Sequence, residues 1–243
     1  MKYKITFSYD GSSFFGYAKQ NDKKTIQGEV ERVLQIIFQE DITIYSSGRT
    51  DKGVHALAQV AHFDTKKDNI DSAKFKISFN KLVDETIYLK SIEKVDDSFH
   101  ARFSAKAKKY LYVINFSSFD VILRNYEYFD NQIDINKFIE ASKIFIGTHN
   151  FMDFCSKDDD ELNFKRTIND INVEIKNGRA LITFEGDGFM RYEIRKIVGT
   201  LIEISKGKVN SDYILKHLDP DKRNIVSFQA DSKGLYLVEV KYN

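Results

Sequence analysis

The chain has one cysteine, one proline and no tryptophan among its 243 residues. A single cysteine, Cys155, excludes an intrachain disulfide framework and suits a reducing compartment. With Pro220 the only proline, no Pro-, Gly- or Ser-rich stretch marks a linker. The length fits one large domain or two small ones. No apolar run reaches the roughly 18 residues a membrane span needs. The start, Met1-Lys2-Tyr3-Lys4-Ile5, enters an alternating pattern with no signal-peptide segment, so a cytoplasmic protein is expected. Charge of one sign is also missing: 37 Lys and Arg face 36 Asp and Glu, a net charge of +1. Any polyanion must therefore be held by local patches. His55, His62, His100, His149 and His217 are scattered with no zinc spacing, so no metal site is expected. No G-x-x-x-x-G-K-[ST] loop suggests nucleotide hydrolysis.

What is present is an ordinary globular composition, 42% hydrophobic and 30% charged, which argues against disorder. From Ser98 to Phe119 there is no acidic residue, while Arg102, Lys106, Lys108 and Lys109 are all basic. Acidic charge concentrates at Asp158-Asp159-Asp160-Glu161. Either run can be a solvated face.

Periodicity predicts a strand over 3–9 and a helix over 26–38, capped by Thr25, with Ile26, Val30, Leu34, Ile37 and Phe38 on one face. Strands over 42–47 and 57–64, a helix over 71–82 and a strand over 86–95 follow. The second half reads as a strand over 109–116 and a helix over 135–146 stopped by Gly147. A hairpin over 167–175 and 179–185 then turns at Asn177-Gly178. A helix over 190–205 and a strand over 234–242 complete it. The expected fold is α+β: two β-α-β-β-α-β halves, 1–97 and 98–243, with joined antiparallel sheets flanking a central cleft.

The stretch from Gly48 to Phe63, GRTDKGVHALAQVAHF, carries the most chemistry. Alone, Asp51-Lys52-Gly53 reads as a surface turn in which Gly53 supplies a positive φ. The whole stretch, however, resembles the signature GRTDxGVHAxxQVxHF of the tRNA pseudouridine synthase A family, with every fixed position present. The likeness extends to Tyr9-Asp10-Gly11, Gly16, Gln20, Thr25-Ile26-Gln27, the run from Phe99 to Ala105, and Lys109-Tyr110-Leu111-Tyr112. Gly147-Thr148-His149-Asn150-Phe151, Phe189-Met190-Arg191, Arg195-Lys196-Ile197-Val198-Gly199 and Gly234-Leu235-Tyr236-Leu237 match too. Ala18 stands where a Gln is usual, and Val83 where a Pro is usual.

The resemblance implies an isomerase that turns uridine into pseudouridine in the tRNA anticodon arm, positions 38–40, acting as a homodimer without a cofactor. Breaking the N1–C1′ bond and rejoining uracil through C5 needs a carboxylate that attacks or stabilises C1′, and a base for the C5 proton. By resemblance the carboxylate is Asp51. Arg195 is the cation that would keep it ionised, placed one helical turn from Arg191 on the same helix. Tyr110 is the active-site tyrosine, able to stack on the base or to take the proton, although a phenol with pKa about 10 is a poor base at neutral pH. Arg49 could fill the gap left by an extruded uridine or clamp its phosphate. Phe189 reads as an apolar wall opening the second-half helix, and Arg102, Lys106 and Lys108 as phosphate contacts. Each has a plainer reading: a solvated arginine, a core aromatic, a charged face. The alternative for the whole chain is a non-catalytic RNA-binding paralogue of the same fold.

Overall fold

The computed structural model describes residues 1–156 and 163–242. The acidic run from Asp158 to Glu161 lies outside the described residues. In chain order the elements are β1 (Lys2–Tyr9), α1 (Ile26–Phe38), β2 (Tyr45–Ser46), β3 (His55–Asp64), α2 (Ser72–Leu82), β4 (Ile87–Val95) and β5 (Ala107–Asn115). They continue as β6 (Tyr128–Phe129), α3 (Ile135–Ser142), β7 (Gly147–Asn150), β8 (Lys165–Lys176), β9 (Arg179–Gly186), α4 (Glu193–Ser205), α5 (Asp212–His217) and β10 (Leu235–Lys241). This is an α+β chain, as its element order implies.

Two compact units form: residues 1–106 with 236–243, and residues 107–235. The expected halves, 1–97 and 98–243, divide the chain differently. The reason is β10, whose Tyr236 and Leu237 pair in parallel with His55 and Ala56 of β3. Tyr236 lies 181 positions beyond His55, out of reach of any local pattern.

In the first unit β1 lies between β4 and β3, antiparallel to both. The other edge of β3 is shared, with β2 at the Ala61–His62 end and β10 at the His55–Ala56 end. The order β4-β1-β3-β2 is that of a ferredoxin-like βαββαβ unit. Thr25 Oγ1 accepts from the Gly28 N–H and caps α1, whose Ile26, Val30, Val33, Leu34 and Phe38 are buried. Asp71 caps α2 through the Ala73 and Lys74 N–H groups. Phe38 meets Phe63 at 5.6 Å and Phe75 at 5.5 Å between ring centroids, which joins both helices to the odd-numbered face of β3. Val83, at the family's usual proline position, is the buried C-cap of α2, its N–H bonded to Phe79 O. That makes it a helix terminus rather than mere loop.

The opposite face of β3 carries His62. Its Nδ1 accepts from the Ala101 N–H at 3.1 Å, and it also bonds to the Tyr45 backbone. Burial, then the neighbouring His100 and Lys2, push its pKa down to about 4, with Asp64 pulling the other way. The folded state therefore binds fewer protons at this site than the unfolded chain, whose histidine titrates near 6.5. Its contribution to stability is complete above about pH 6.5 and falls as the pH drops towards about 4. Chemical denaturation midpoints are expected to decline across that window, and His62→Gln to flatten the decline.

In the second unit the strand order is β5-β9-β8-β7, with β6 parallel to β5. Asn177 (φ 51°) and Gly178 (φ 71°) turn the β8–β9 hairpin, as a two-residue type I′ turn requires. α3 packs on α4. Three expectations are corrected here. The helix expected over 135–146 ends at Ser142 and passes through a 3-10 turn, and Gly147 (φ 122°) opens β7 instead of merely stopping a helix. The strand expected over 42–47 shrinks to Tyr45–Ser46. The helix expected from Met190 begins at Glu193, because Tyr192 adopts φ 70°.

Candidate active site

Asp51 occupies the turn between β2 and β3. Val54 N–H bonds to Asp51 O at 3.1 Å, and Gly53 has φ 83°, the positive value a type II turn demands at its third position. Asp51 is half-buried, whereas Arg49 and Lys52 are exposed.

Three supports hold this turn. Gln59 on β3 donates to Gly48 O at 3.0 Å and accepts from Ser47 Oγ at 2.8 Å, gripping the entry. The Tyr9 hydroxyl and Thr50 Oγ1 share a hydrogen bond of 2.8 Å, and burial raises the Tyr9 phenol to about 12. It stays protonated and tied. Finally, the segment between β1 and α1 lies against the turn: Tyr17 N–H donates to Thr50 O at 3.0 Å. Gly16 (φ 95°) faces the same backbone, where a Cβ would stand 3.3 Å from both Lys52 N and Thr50 O. Gly11 is tighter still, since a Cβ there would fall 1.9 Å from Val54 O. His55, stacked on Tyr236 at 4.7 Å, places Nδ1 3.2 Å from Gly11 N and 3.1 Å from Asp10 Oδ1. Exposed Phe15 lies under Lys52 Nζ at 4.6 Å.

The sequence singled out Asp51 but not Gln59, Tyr9 or Phe15 as its neighbours. Gln59 could have been found, being a fixed position of the signature two residues before Ala61. Phe15 carried no pattern that distinguishes it.

In the second unit Tyr110 sits buried on β5, opposite Phe184 of β9. The half-buried Phe189 meets its ring edge-on, 5.4 Å between centroids at 83°. Phe189 does not open a helix as expected but lies in the loop before α4. Tyr112, two residues on, is fully buried and donates its hydroxyl to Asp231 O at 2.8 Å, so it is the structural tyrosine of the pair.

Arg195 lies in the first turns of α4. Its Nε donates to Ala230 O at 2.9 Å, and Ala230 N–H returns a bond to Arg195 O at 2.8 Å. Gly199, one turn on, permits that approach: a Cβ there would lie 2.7 Å from Gln229 N. Arg191 is not on the same helix, which corrects the expected pairing along one face. Instead the Arg191 and Arg195 guanidiniums both approach the Tyr192 ring, at 4.7 and 5.5 Å. The left-handed Tyr192 leaves α4 without a side-chain cap, and the buried Glu193 carboxylate accepts from Met190 N–H at 2.8 Å in its place. An acid in the first turn also suits the helix dipole.

Of the basic residues, Arg102 and Lys106 are exposed and Lys108 is half-buried. Cys155 is buried, its Sγ–H directed at Met152 O, consistent with packing. Among the described residues no group of three or more His, Cys, Asp or Glu could hold a metal ion. No helix there is long and apolar enough to cross a membrane.

Asp51 thus lies on a braced turn of the first unit, while the Tyr110–Phe189 pair and the Arg195 guanidinium bonded to Ala230 O belong to the second. The family model for tRNA pseudouridine synthase matches residues 5–104 and 141–243. The chain belongs to this family of RNA-modifying isomerases. It is 40% identical over 243 residues to the tRNA pseudouridine synthase A of Geobacillus sp. (strain WCH70), spanning 99% of this chain and 98% of the relative. That of Malacoplasma penetrans (strain HF-2) is 40% identical over 245 residues, covering 100% of both. That of Acetivibrio thermocellus is 36% identical over 241 residues, covering 98% of both. Asp51 and Arg195 fall inside the family match, and Tyr110 falls in the stretch between its two parts.

Proposed function

We propose that this protein isomerises uridine to pseudouridine in the anticodon stem-loop of tRNA, at positions 38–40, with Asp51 as the catalytic carboxylate. The observation that carries the reading is the Asp51 turn. It bears the full family signature and is braced from below by Gly11, Gly16, Tyr9 and Gln59. Such bracing fixes a reacting group without cost at the moment of reaction.

The uridine leaves its stack. The N1–C1′ bond breaks while Asp51 attacks C1′ or stabilises its positive charge. Uracil rotates and C5 bonds to C1′, any Asp51–C1′ bond breaking to restore the carboxylate; the C5 proton then departs and N1 gains one, so substrate and product are isomers. No electron acceptor or transferred group is needed. Arg195 supplies the positive charge that favours an ionised carboxylate in a site closed to water. Arg49 contacts phosphate or the vacated stack, Phe189 walls the base, and Arg102, Lys106 and Lys108 hold backbone phosphates. The protein acts in the cytoplasm as a homodimer.

Tyr110 stacks on the extruded base. Phe189, 5.4 Å away between centroids, adds a second ring beside it for a planar base to meet. Tyr110→Phe is accordingly expected to keep turnover close to wild type. Tyr110→Ala loses about 5- to 150-fold, the range of one base–aromatic stack. Single-turnover rates on tRNA check this, and equal losses in the two variants would transfer the role to the hydroxyl. The assignment of activity and position is tested by carbodiimide mapping of an unmodified tRNA transcript after incubation with the protein. New stops in the anticodon arm are expected, and an unchanged transcript would refute it.

A further inference from the structure

At the far end of β3 from the Asp51 turn, the first unit displays aromatic rings that the reaction does not use. His55 to His62 is seven residues, about 24 Å of strand at roughly 3.4 Å per residue. On the face opposite α1 and α2, His62 stacks with Tyr45 across the β2–β3 pair, 5.3 Å between centroids and 26° between planes. His100 meets His62 at 4.6 Å and Tyr45 at 6.2 Å. Phe103 meets His100 at 4.4 Å and 34°. Phe103 is nevertheless 76% exposed and Tyr45 50% exposed, which leaves apolar ring surface in water.

The exposure is imposed by a rigid turn. His100 Nδ1 accepts from the Arg102 and Phe103 N–H groups, at 3.2 and 3.4 Å. His100 N–H donates to Ser104 Oγ, and Ser104 N–H to His100 O. Ala101 is held on both sides, its N–H on His62 and its carbonyl on the Tyr242 hydroxyl. Phe103 is thus presented already ordered.

Basic side chains edge the patch, although Asp64 also acts on His62. The Arg102 guanidinium lies 5.7 Å from the Phe103 ring centroid, and Lys106 is exposed just beyond. Lys4 Nζ sits over Phe99 and Tyr242, at 5.7 and 5.4 Å, while also pairing with Glu93. No acidic residue occurs between Ser98 and Phe119. Exposed π-faces edged by cations match unpaired nucleotides, which offer a planar base and a phosphate together.

We propose that Tyr45, His100 and Phe103, with Arg102, form a stacking platform for an unpaired base of the RNA substrate, remote from the uridine that reacts. The inference rests on the proposed RNA activity for its ligand. It adds a subsite that anchors tRNA through a second, unreacting nucleotide.

The absence of tryptophan from the chain gives a direct test. Phe103→Trp creates a single tryptophan, whose emission is quenched by a stacked base. Titration of this variant with unmodified tRNA is expected to quench saturably. The control Tyr88→Trp, on the exposed part of edge strand β4, is expected not to change. Phe103→Ala, which removes no core contact, should raise KM for tRNA about 5- to 150-fold, the range of one stacking interaction, with kcat retained. Two results overturn the proposal. One is no quenching at saturating tRNA together with an unchanged KM for Phe103→Ala. The other is an indole signal from the Phe103→Trp variant that follows protein concentration without RNA, which would make the patch a contact between copies. Pseudouridine formation by the Tyr88→Trp control is measured in parallel. Quenching of the Phe103→Trp variant without product from that control would remove the isomerase reading and leave the platform standing.

Discussion

Asp51→Asn is expected to lower pseudouridine formation by at least about 1,000-fold while leaving tRNA affinity largely intact. The amide has nearly the shape of the carboxylate, so the supports from Gly11, Gly16, Thr50 and Gln59 to this turn are retained. What is lost is the negative charge. An amide neither attacks C1′ effectively nor stabilises a cation there. Rate and binding therefore separate in this variant. A gel-shift or filter-binding isotherm beside a single-turnover assay measures both. Comparable loss of the two would mean that Asp51 organises the turn rather than the chemistry.

The second large effect is expected from one methyl group. In Gly11→Ala the new Cβ would fall 1.9 Å from Val54 O and 2.6 Å from Val54 C. Both are backbone atoms at the exit of the Asp51 turn, so no side chain can swing aside. Either the 3-10 turn that begins at Gly11 or the Asp51 turn itself must move. Overpacking of this kind costs about 1–3 kcal/mol, and for a chain of this size Tm should fall by about 2–12 °C. A displacement near 1 Å at Asp51 should also cost about 100-fold in turnover. Gly207→Ala provides the comparison. Its φ of 71° strains a side chain, but nothing lies within 4 Å, so it should cost stability without touching rate. Thermal unfolding and single-turnover assays on both variants separate the two effects. Equal activity losses would mean that any destabilisation suffices.

Gly11 also shows where the sequence ceased to be legible. A Tyr-Asp-Gly after a strand reads as a turn, and the need for glycine arises from Val54, forty-three positions away. Local signals were sufficient where the physics is local. Thr25 capping α1, Asp71 before α2 and Asn177-Gly178 in the hairpin each act within four residues, and those elements lie where the pattern put them. Tyr192 went the other way. A bulky residue in the left-handed region carries no sequence mark, so the helix was expected three residues too early and Arg191 was placed on it. β10 was misplaced for a third reason. Its alternation gave a strand, but nothing in seven residues says that His55 and Ala56 are the partners of Tyr236 and Leu237. In the candidate site Asp51, the carboxylate proposed to react, was readable as a motif. Gln59 lay within that motif without a role, and its grip on Gly48 and Ser47 emerges only from the coordinates.

If this protein itself moves the C1′ bond of a tRNA uridine from N1 to C5, the hydrogen at C5 must leave. Tritium release tests it most directly, using purified protein and a tRNA transcript labelled at uracil C5. Release is expected to rise with time to a plateau equal to the pseudouridine formed. A protein that binds the transcript tightly and releases no tritium would contradict it.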